Sequence, residues 1–423
     1  MTRPRLDLSQ PSRQLVLVMV VVFVACHLYL IWVAAQVQPV GAIDVGLYEW
    51  WVKEGWSDQA WPGIDRAWVY PVVALVPMIV SVWLEQLSGG WLNYLAAWCV
   101  MVSLLNATAS VVVLRTLGLR RAAWPLIWWF VFLAVLGPVS ITRLDAIIMP
   151  LVLMALVLAA ARPGLAALLL TLGAWIKVVP GVLLAPLALL ARRSWRQVVA
   201  VGLGVSAVVV MLVWLLGGNL RWLGSFLGTD QSRGLQVESV LATPVVLAHA
   251  AGGEVIWQYN DELSTVETWG PGAQTAALIG NVGLPLACLG VLWLAWLARR
   301  RPGDALLYSA QGFFTVLIVF NKVGSPQFYT WLAPAVVVGL MSRRNQLFWG
   351  PMAALATFTA VLTWLIFPTF YMEFLEADRW MLLIVALRNV CMVLIMCGAV
   401  VGQWRLVQAV RTEVSPRPVA RHL

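Results

Sequence analysis

Asp44 is the first residue whose type and position suggest chemistry. It follows the first long apolar run, residues 15–36, and lies in the short sequence Gly41-Ala42-Ile43-Asp44. A carboxylate at the point where a membrane helix meets the aqueous interface is partly desolvated, which raises its basicity toward that of a general base. The alternative is an ordinary interfacial carboxylate that caps a short helix. Position alone leaves both interpretations open.

Two further charged positions border apolar runs. Arg143 and Asp145 precede the run 146–161, and they either form a local ion pair or bind an anion. Lys177 lies between the short runs 164–176 and 181–191. An ionised lysine near membrane depth is costly, so it either has a function or extends its amine to the interface. The Pro and Gly that follow Lys177 favour a built loop, and we expect a broken or re-entrant helix pair there.

Two polar segments complete the set of candidates. Lys322 is followed by three side chains that can hydrogen-bond a sugar: Ser325, Gln327 and Tyr329. The segment 230–239 offers a cation for a phosphate and two groups for hydroxyls: Arg233, Gln236 and Glu238. Each segment could equally be a solvated loop. Taken together, the cations and the carboxylate suit a pocket that stabilises a departing lipid-linked phosphate.

Other kinds of site are not indicated. The chain has no Walker loop, no Rossmann glycine fingerprint and no Asp-x-Asp metal motif, and its three histidines lack metal-ligand spacing. We therefore expect no metal, no cofactor and no soluble nucleotide-sugar donor.

The elements that must position these residues are membrane helices. Of 423 residues, 61% are hydrophobic and 11% charged, with a mean hydropathy of +0.86. Such a composition excludes a soluble enzyme and a disordered chain. We predict an all-α polytopic membrane protein with about 12 transmembrane helices. The candidate runs are residues 15–36, 93–114, 122–139, 146–161, 164–176, 181–191, 197–217, 272–297, 305–320, 328–341, 347–367 and 381–403.

Charge distribution predicts the topology. If the apolar segment 68–86 lies on the outer face instead of crossing, most of the 28 basic residues fall in cytoplasmic loops, as the positive-inside rule requires. We therefore predict cytoplasmic termini, an active site on the outer face and no nucleic-acid partner. Residues 1–423 form one membrane domain, with external loops at 37–92 and 218–271 and a cytoplasmic tail at 404–423.

The order of these segments resembles glycosyltransferase family 87 of the GT-C superfamily, which includes actinobacterial polyprenol-phosphate-mannose-dependent α-(1→2)-mannosyltransferases. The similar stretches are Asp44 with Tyr48, Tyr70-Pro71, Arg143-Leu144-Asp145, the sequence from Gly173 to Pro180, that from Arg233 to Ser239 and that from Lys322 to Gln327. Two positions depart from the family pattern: Val72 replaces a second proline, and Phe328 precedes Tyr329.

The resemblance implies a GT-C fold with interfacial helices on the outer face of the plasma membrane. It also implies a metal-independent, inverting transfer of mannose from polyprenyl-phosphate-mannose to a mannosylated glycolipid, of the phosphatidylinositol mannoside or lipomannan type. Asp44 would be the base. The donor phosphate would be held by Lys177, Lys322, Arg233 and Arg143. Sugar or acceptor contacts would come from Tyr48, Tyr70, Asp145, Gln236, Glu238, Ser325, Gln327 and Tyr329.

Three alternatives remain at this stage. The family also includes arabinofuranosyltransferases that use a polyprenyl-phosphate donor. Twelve spans with a broken helix pair would also suit a transporter, although no internal repeat is visible. An O-antigen ligase or polymerase likewise works on the outer face, but the place of Asp44 directly after the first span favours the GT-C interpretation.

Overall fold

The computed structural model describes residues 10–36, 42–229, 234–253, 256–260, 265–342 and 346–414. Helices dominate these residues. They are α1 (Gln10–Gln36), α2 (Ile43–Ser57), α3 (Leu75–Leu87), α4 (Tyr94–Leu117), α5 (Leu119–Leu136), α6 (Asp145–Leu158), α7 (Pro163–Ile176), α8 (Leu184–Leu190), α9 (Trp195–Leu215), α10 (Ser225–Thr229), α11 (Thr243–Ala250), α12 (Ala273–Leu297), α13 (Pro302–Val319), α14 (Ala333–Leu340), α15 (Gln346–Trp364), α16 (Tyr371–Leu375) and α17 (Arg379–Val414).

Seven of the described helices are long and apolar enough to cross a membrane: α1, α4, α5, α9, α12, α15 and α17. The polytopic all-α prediction is therefore confirmed, but the count of about 12 spans is not. Several predicted runs fold as shorter elements, because prolines and glycines interrupt them. The runs 146–161 and 164–176 give helices of 14 residues each, and 181–191 gives a 3₁₀ turn and a seven-residue helix.

The break between α7 and α8 lies at Lys177, as the sequence predicts. Lys177 has an extended backbone (φ −153°, ψ 129°), and the chain continues through a 3₁₀ turn at Val179–Leu183. This turn packs against the last part of α7, since a Cβ on Gly173 would lie 3.0 Å from the Pro180 ring. The break places the Lys177 amine beside Asp145, at the start of α6.

The segment 68–86 forms a 3₁₀ turn at Val72–Ala74 followed by α3. With 13 residues, α3 is about 20 Å long, shorter than the roughly 30 Å hydrocarbon core of a bilayer. Its length is that expected of the predicted non-spanning segment. Whether α3 crosses decides the side of every later loop.

Cysteine labelling tests this topology. We expect Leu87→Cys, at the 83% exposed end of α3, to react with an impermeant maleimide on intact cells, and Arg120→Cys to stay unlabelled. Background is low because the five native cysteines lie within α1, α4, α12 and α17. The reverse labelling pattern would show that α3 crosses the membrane and would invert all later loops.

A small sheet lies within the predicted external loop 218–271, and its first strand belongs to the polar segment 230–239. Strands β1 (Leu235–Gln236), β2 (Ile256–Asn260) and β3 (Thr265–Trp269) pair antiparallel in the order β1-β3-β2. In β3 the adjacent residues Glu267 and Thr268 are both buried, so both faces of this strand are covered near its end. The sheet holds residues 235–239 against the helical body.

The core is centred on α6, α13 and α14, whose side chains are mostly buried. By contrast, α1, α9 and α12 keep rows of exposed apolar side chains, as expected of helices that face lipid. The last helix, α17, continues to Val414, so residues 404–414 of the predicted tail are helical. The cytoplasmic location of this end remains a prediction.

Candidate active site

An ion pair joins Asp44 to Arg143. Asp44 lies in the first turn of α2, and Arg143 lies in the loop that leads into α6. Arg143 donates from Nη1 to Asp44 Oδ1. The Arg143 side chain is 6% exposed, whereas that of Asp44 is 26% exposed. The pair therefore anchors a carboxylate that still reaches the surface.

The loop that carries Arg143 is rigid. It begins at Gly137, whose φ of +81° suits glycine and whose Cβ position is occupied by the Trp364 ring. The Thr142 hydroxyl donates to the Pro138 carbonyl at 2.9 Å. From α4, Trp98 Nε1 donates to the Ile141 carbonyl, also at 2.9 Å. These bonds fix the backbone on both sides of the arginine.

Asp145 forms a second charged group beside the first. It is 1% exposed and lies at the first position of α6, where the helix dipole favours a negative charge. Lys177 Nζ donates to its Oδ2 at 2.6 Å, and Trp331 Nε1 donates to its Oδ1 at 2.6 Å. Both carboxylate oxygens of Asp145 are thus engaged. Arg143 and Asp145 each pair with a more distant partner, so the expected local ion pair between them is wrong. Anion binding by Arg143 stays a prediction.

Aromatic side chains connect Lys177 to the polar segment that begins at Lys322. The Lys177 amine lies 5.2 Å from the centre of the Phe328 ring, within cation–π range. Phe328 stacks on Trp331 at 4.4 Å. Phe328, which departs from the family pattern in the sequence, is therefore a direct neighbour of the charged cluster.

Tyr48 and Tyr70 form an aromatic wall near Asp44. Tyr48 is one turn further along α2, 1% exposed, and its hydroxyl hydrogen-bonds the Leu144 backbone and the Tyr70 hydroxyl. Burial raises the pKa of Tyr48 well above its usual value, so the phenol stays neutral. The Tyr48 ring also packs 4.9 Å from Trp98. Tyr48 is thus positioned to hold α2 against the loop of Arg143.

The two predicted polar segments pack against each other. The Lys322 carbonyl accepts a hydrogen bond from Gln236 N at 2.9 Å, and Gly324 N donates to Gln236 Oε1 at 2.7 Å. Gln236 therefore hydrogen-bonds backbone atoms of the Lys322 segment. Ser325 caps the 3₁₀ turn Pro326–Leu332, and the Gln327 carbonyl accepts from Thr330.

Glu238 is buried against a residue that the sequence analysis missed, Arg388 of α17. Arg388 is 0% exposed, donates to the Glu238 carbonyl at 2.6 Å and lies 3.6 Å from its carboxylate. Arg388 also lies 5.1 Å from the centre of the Tyr329 ring. Its neighbour Asn389 donates to Thr243 Oγ1 at 2.8 Å. An arginine inside the apolar run 381–403 was the available signal, since such residues are almost always paired.

This second cluster borders the first through two aromatic rings. Arg143 lies 6.0 Å from the centre of the Phe367 ring, which packs edge-on to Tyr371 at 5.1 Å. The Tyr371 hydroxyl in turn hydrogen-bonds the Glu238 carboxylate. Burial raises the pKa of Glu238, while Arg388 and the Tyr371 hydroxyl act in the opposite direction. Two aromatic rings therefore separate Glu238 from Arg143.

Gly324 is the point at which the two polar segments meet most closely. A Cβ there would overlap the Glu238 carbonyl carbon and the Ser239 nitrogen. We expect Gly324→Ala to lower stability by about 1–3 kcal/mol, the usual cost of overpacking, and to reduce activity. A thermal-unfolding assay of the purified protein measures the first effect. Gly290→Ala is the control, because nothing lies within 4 Å of its Cβ position, and an equal loss in both variants would contradict the prediction.

Arg233 lies outside the described residues. Within the part of the chain that the structure describes, no group of three or more His, Cys, Asp or Glu side chains could hold a metal ion. The site as described thus consists of carboxylates, cations and aromatic rings.

Comparison with known proteins adds one finding. The sequence model of glycosyltransferase family 87 matches residues 68–320, which is more than half of the chain. The match includes Arg143, Asp145 and Lys177 but stops before Lys322 and begins after Asp44. No curated protein and no solved structure matches the chain significantly.

Proposed function

Because the chain belongs to glycosyltransferase family 87, we propose that it transfers mannose from polyprenyl-phosphate-mannose to a mannosylated glycolipid on the outer face of the plasma membrane. The acceptor would be of the phosphatidylinositol mannoside or lipomannan type, and the new linkage α-(1→2). The observation that carries the proposal is the unequal pair of carboxylates, Asp44 and Asp145, each held by its own cation. Family membership sets the transporter alternative aside.

The difference between the two carboxylates assigns their roles. Asp145 is 1% exposed and gives both oxygens to Lys177 and Trp331, so it cannot take a proton from a substrate without losing a buried bond. Asp44 is bonded through Oδ1 to Arg143 and keeps 26% of its side chain exposed. Asp44 is therefore the carboxylate that can reach an acceptor hydroxyl, and we assign it as the general base.

In the proposed reaction Asp44 accepts the proton of the acceptor hydroxyl. The hydroxyl oxygen attacks C1 of the β-linked mannosyl phosphate, and the bond from C1 to the phosphate oxygen breaks with its electron pair on the phosphate. Attack from the opposite face inverts the configuration and gives an α-linkage. Negative charge grows on the leaving phosphate, which nearby cations stabilise.

Lys177 and Arg143 are the cations best placed to do so. Arg143 pairs with the general base, and Lys177 pairs with Asp145, two residues after Arg143 in the chain. Each cation holds a carboxylate that can share it with an anion. Lys322 and Arg233 stay in the proposal as further phosphate contacts from the two polar segments. Tyr48, Tyr70, Glu238 and Tyr329 are buried or half-buried wall residues, so they would shape the sugar site mainly by packing.

A transfer assay tests the function. Purified full-length protein is given polyprenyl-phosphate-mannose with a panel of mannosylated glycolipids, and product linkage is determined by NMR. We expect an α-(1→2)-mannosylated product and none with the acceptor omitted. A parallel arm with polyprenyl-phosphate-arabinofuranose covers the other activity found in this family. Product in that arm alone would overturn the mannose assignment and leave the catalytic roles intact.

A further inference from the structure

A second groove lies far from Asp44, between α13, α15 and α17. It encloses about 420 Å³. Most of the side chains around it are apolar, including Phe348, Met352 and Val401, and two are arginines, Arg301 and Arg405. A groove with an apolar wall and two cations is not explained by the proposed reaction.

Helix geometry places this groove at the opposite end of the helical body. In α17, Arg388 belongs to the cluster beside the candidate active site, and Arg405 follows 17 residues later, about 26 Å along the axis. In α13, the end at Val319 leads to the Lys322 segment, whereas Arg301 precedes the other end, about 27 Å away. That separation is close to the thickness of a bilayer core. The groove therefore opens at the other membrane surface.

The groove is a built feature with a tightly packed base. Gly402 lets α17 approach α13 and α15, since a Cβ there would lie 2.5 Å from the Tyr308 ring and 2.8 Å from the Phe348 ring. Gly398 allows the same approach for Met352, at 2.5 Å. These contacts fix the positions of the aromatic and methionine side chains along the groove.

Arginines outnumber carboxylates around the groove, where Asp304 and Glu413 are the neighbouring acids. Arg301 pairs with Glu413, which is half exposed. Arg405 is exposed and forms no ion pair among the described residues. Arg299 and Arg300 precede Arg301 directly in the sequence. An anion in the groove would lie beside Arg405 and compete with Glu413 for Arg301.

We propose that this groove binds an anionic phospholipid. Its phosphodiester would bind Arg405 and Arg301, and an acyl chain would lie against Phe348, Met352 and Val401. Basic pockets between membrane helices commonly take such headgroups, because one leaflet is rich in anionic lipid. The site would be separate from the donor and acceptor sites, and its occupation does not depend on the proposed transfer.

Native mass spectrometry of the full-length protein tests the proposal. The detergent-solubilised protein is titrated with phosphatidylglycerol and, separately, with phosphatidylcholine of the same acyl chains. We expect tighter retention of phosphatidylglycerol and about a fivefold loss of its affinity in Arg405→Gln, as one basic contact is removed. Val401→Trp, which fills the groove from its exposed side without changing charge, should lower binding by a similar factor.

The matched control is Arg299→Gln. Arg299 lies at the same end of the molecule but packs over the Trp296 ring, 4.2 Å away, outside the groove. We expect this variant to bind phosphatidylglycerol as the parent does. Equal losses in the Arg299 and Arg405 variants would show a diffuse surface attraction and would overturn the site. Equal retention of the two lipids by the parent would also overturn the proposed site.

Discussion

Replacing Asp44 by Asn should reduce glycosyl transfer by about 10²–10⁴-fold, the usual contribution of a general base. An amide cannot accept the acceptor's proton, but its oxygen can still accept the hydrogen bond from Arg143. That bond matters because Arg143 is 6% exposed, and a buried guanidinium without a partner costs stability. We therefore expect Asp44→Asn to express and unfold much like the parent, whereas Asp44→Ala should be less stable.

The measurement is initial-rate kinetics of purified variants, together with their melting temperatures and a donor-binding assay. Asp58→Asn is the matched control, because Asp58 lies just beyond the same helix, is exposed and accepts a hydrogen bond from the Ser57 hydroxyl. Its rate should equal that of the parent. Near-normal turnover by Asp44→Asn would remove Asp44 from the catalytic role.

Much of the fold follows from composition and periodicity, because in a bilayer the backbone must satisfy its own hydrogen bonds and apolar runs become helices. The number of full spans follows less directly, because short apolar runs and long ones have similar compositions. The run 164–176 is followed so closely by Pro180 and Gly181 that it forms half of a broken pair, and the 14 residues of α7 fall short of a full crossing. The same local reasoning did place the break at Lys177.

The sequence indicated which charged residues to consider, but not which of them pair with each other. Arg143 and Asp145 are two residues apart, which suggested a local pair, yet they project to different partners, Asp44 and Lys177. Those partners lie about 100 and 32 positions away in the chain, and only the packing of α2, α6 and α7 brings them close. Sequence spacing cannot report contacts of this kind.

Arg388 shows a different limit of prediction from sequence. Its charge inside an apolar helix marks it as paired, but the sequence gives no means of choosing Glu238 as its partner. The position of Glu238 is set by the short sheet and by its close contact with Gly324. Neither feature has a strong local pattern in the sequence. The sheet's first strand has only two residues, too few for period-two alternation to appear.

Replacing Lys177 by Met should lower the use of the polyprenyl-phosphate donor by about a hundredfold, with a much smaller effect on the acceptor. The physical reason is that the amine stabilises negative charge that grows on the leaving phosphate, and loss of one such group costs roughly 3 kcal/mol elsewhere. The same change, however, removes a partner of Asp145, which is 1% exposed. A loss of activity in the single variant could therefore arise from a disturbed Asp145 instead of a lost phosphate contact.

A double variant separates these two causes. In Lys177→Met/Asp145→Asn the buried carboxylate charge is removed together with the cation, and the amide oxygen can still accept from Trp331 Nε1. We expect the melting temperature, lowered in the single variant, to recover in the double variant, while kcat/KM for the donor stays about a hundredfold low. Kinetics with both substrates varied, alongside thermal unfolding, provide the measurement. Recovery of donor use together with stability would show that Lys177 serves only to balance Asp145, and the phosphate would then have to bind through Arg143 and the Lys322 segment.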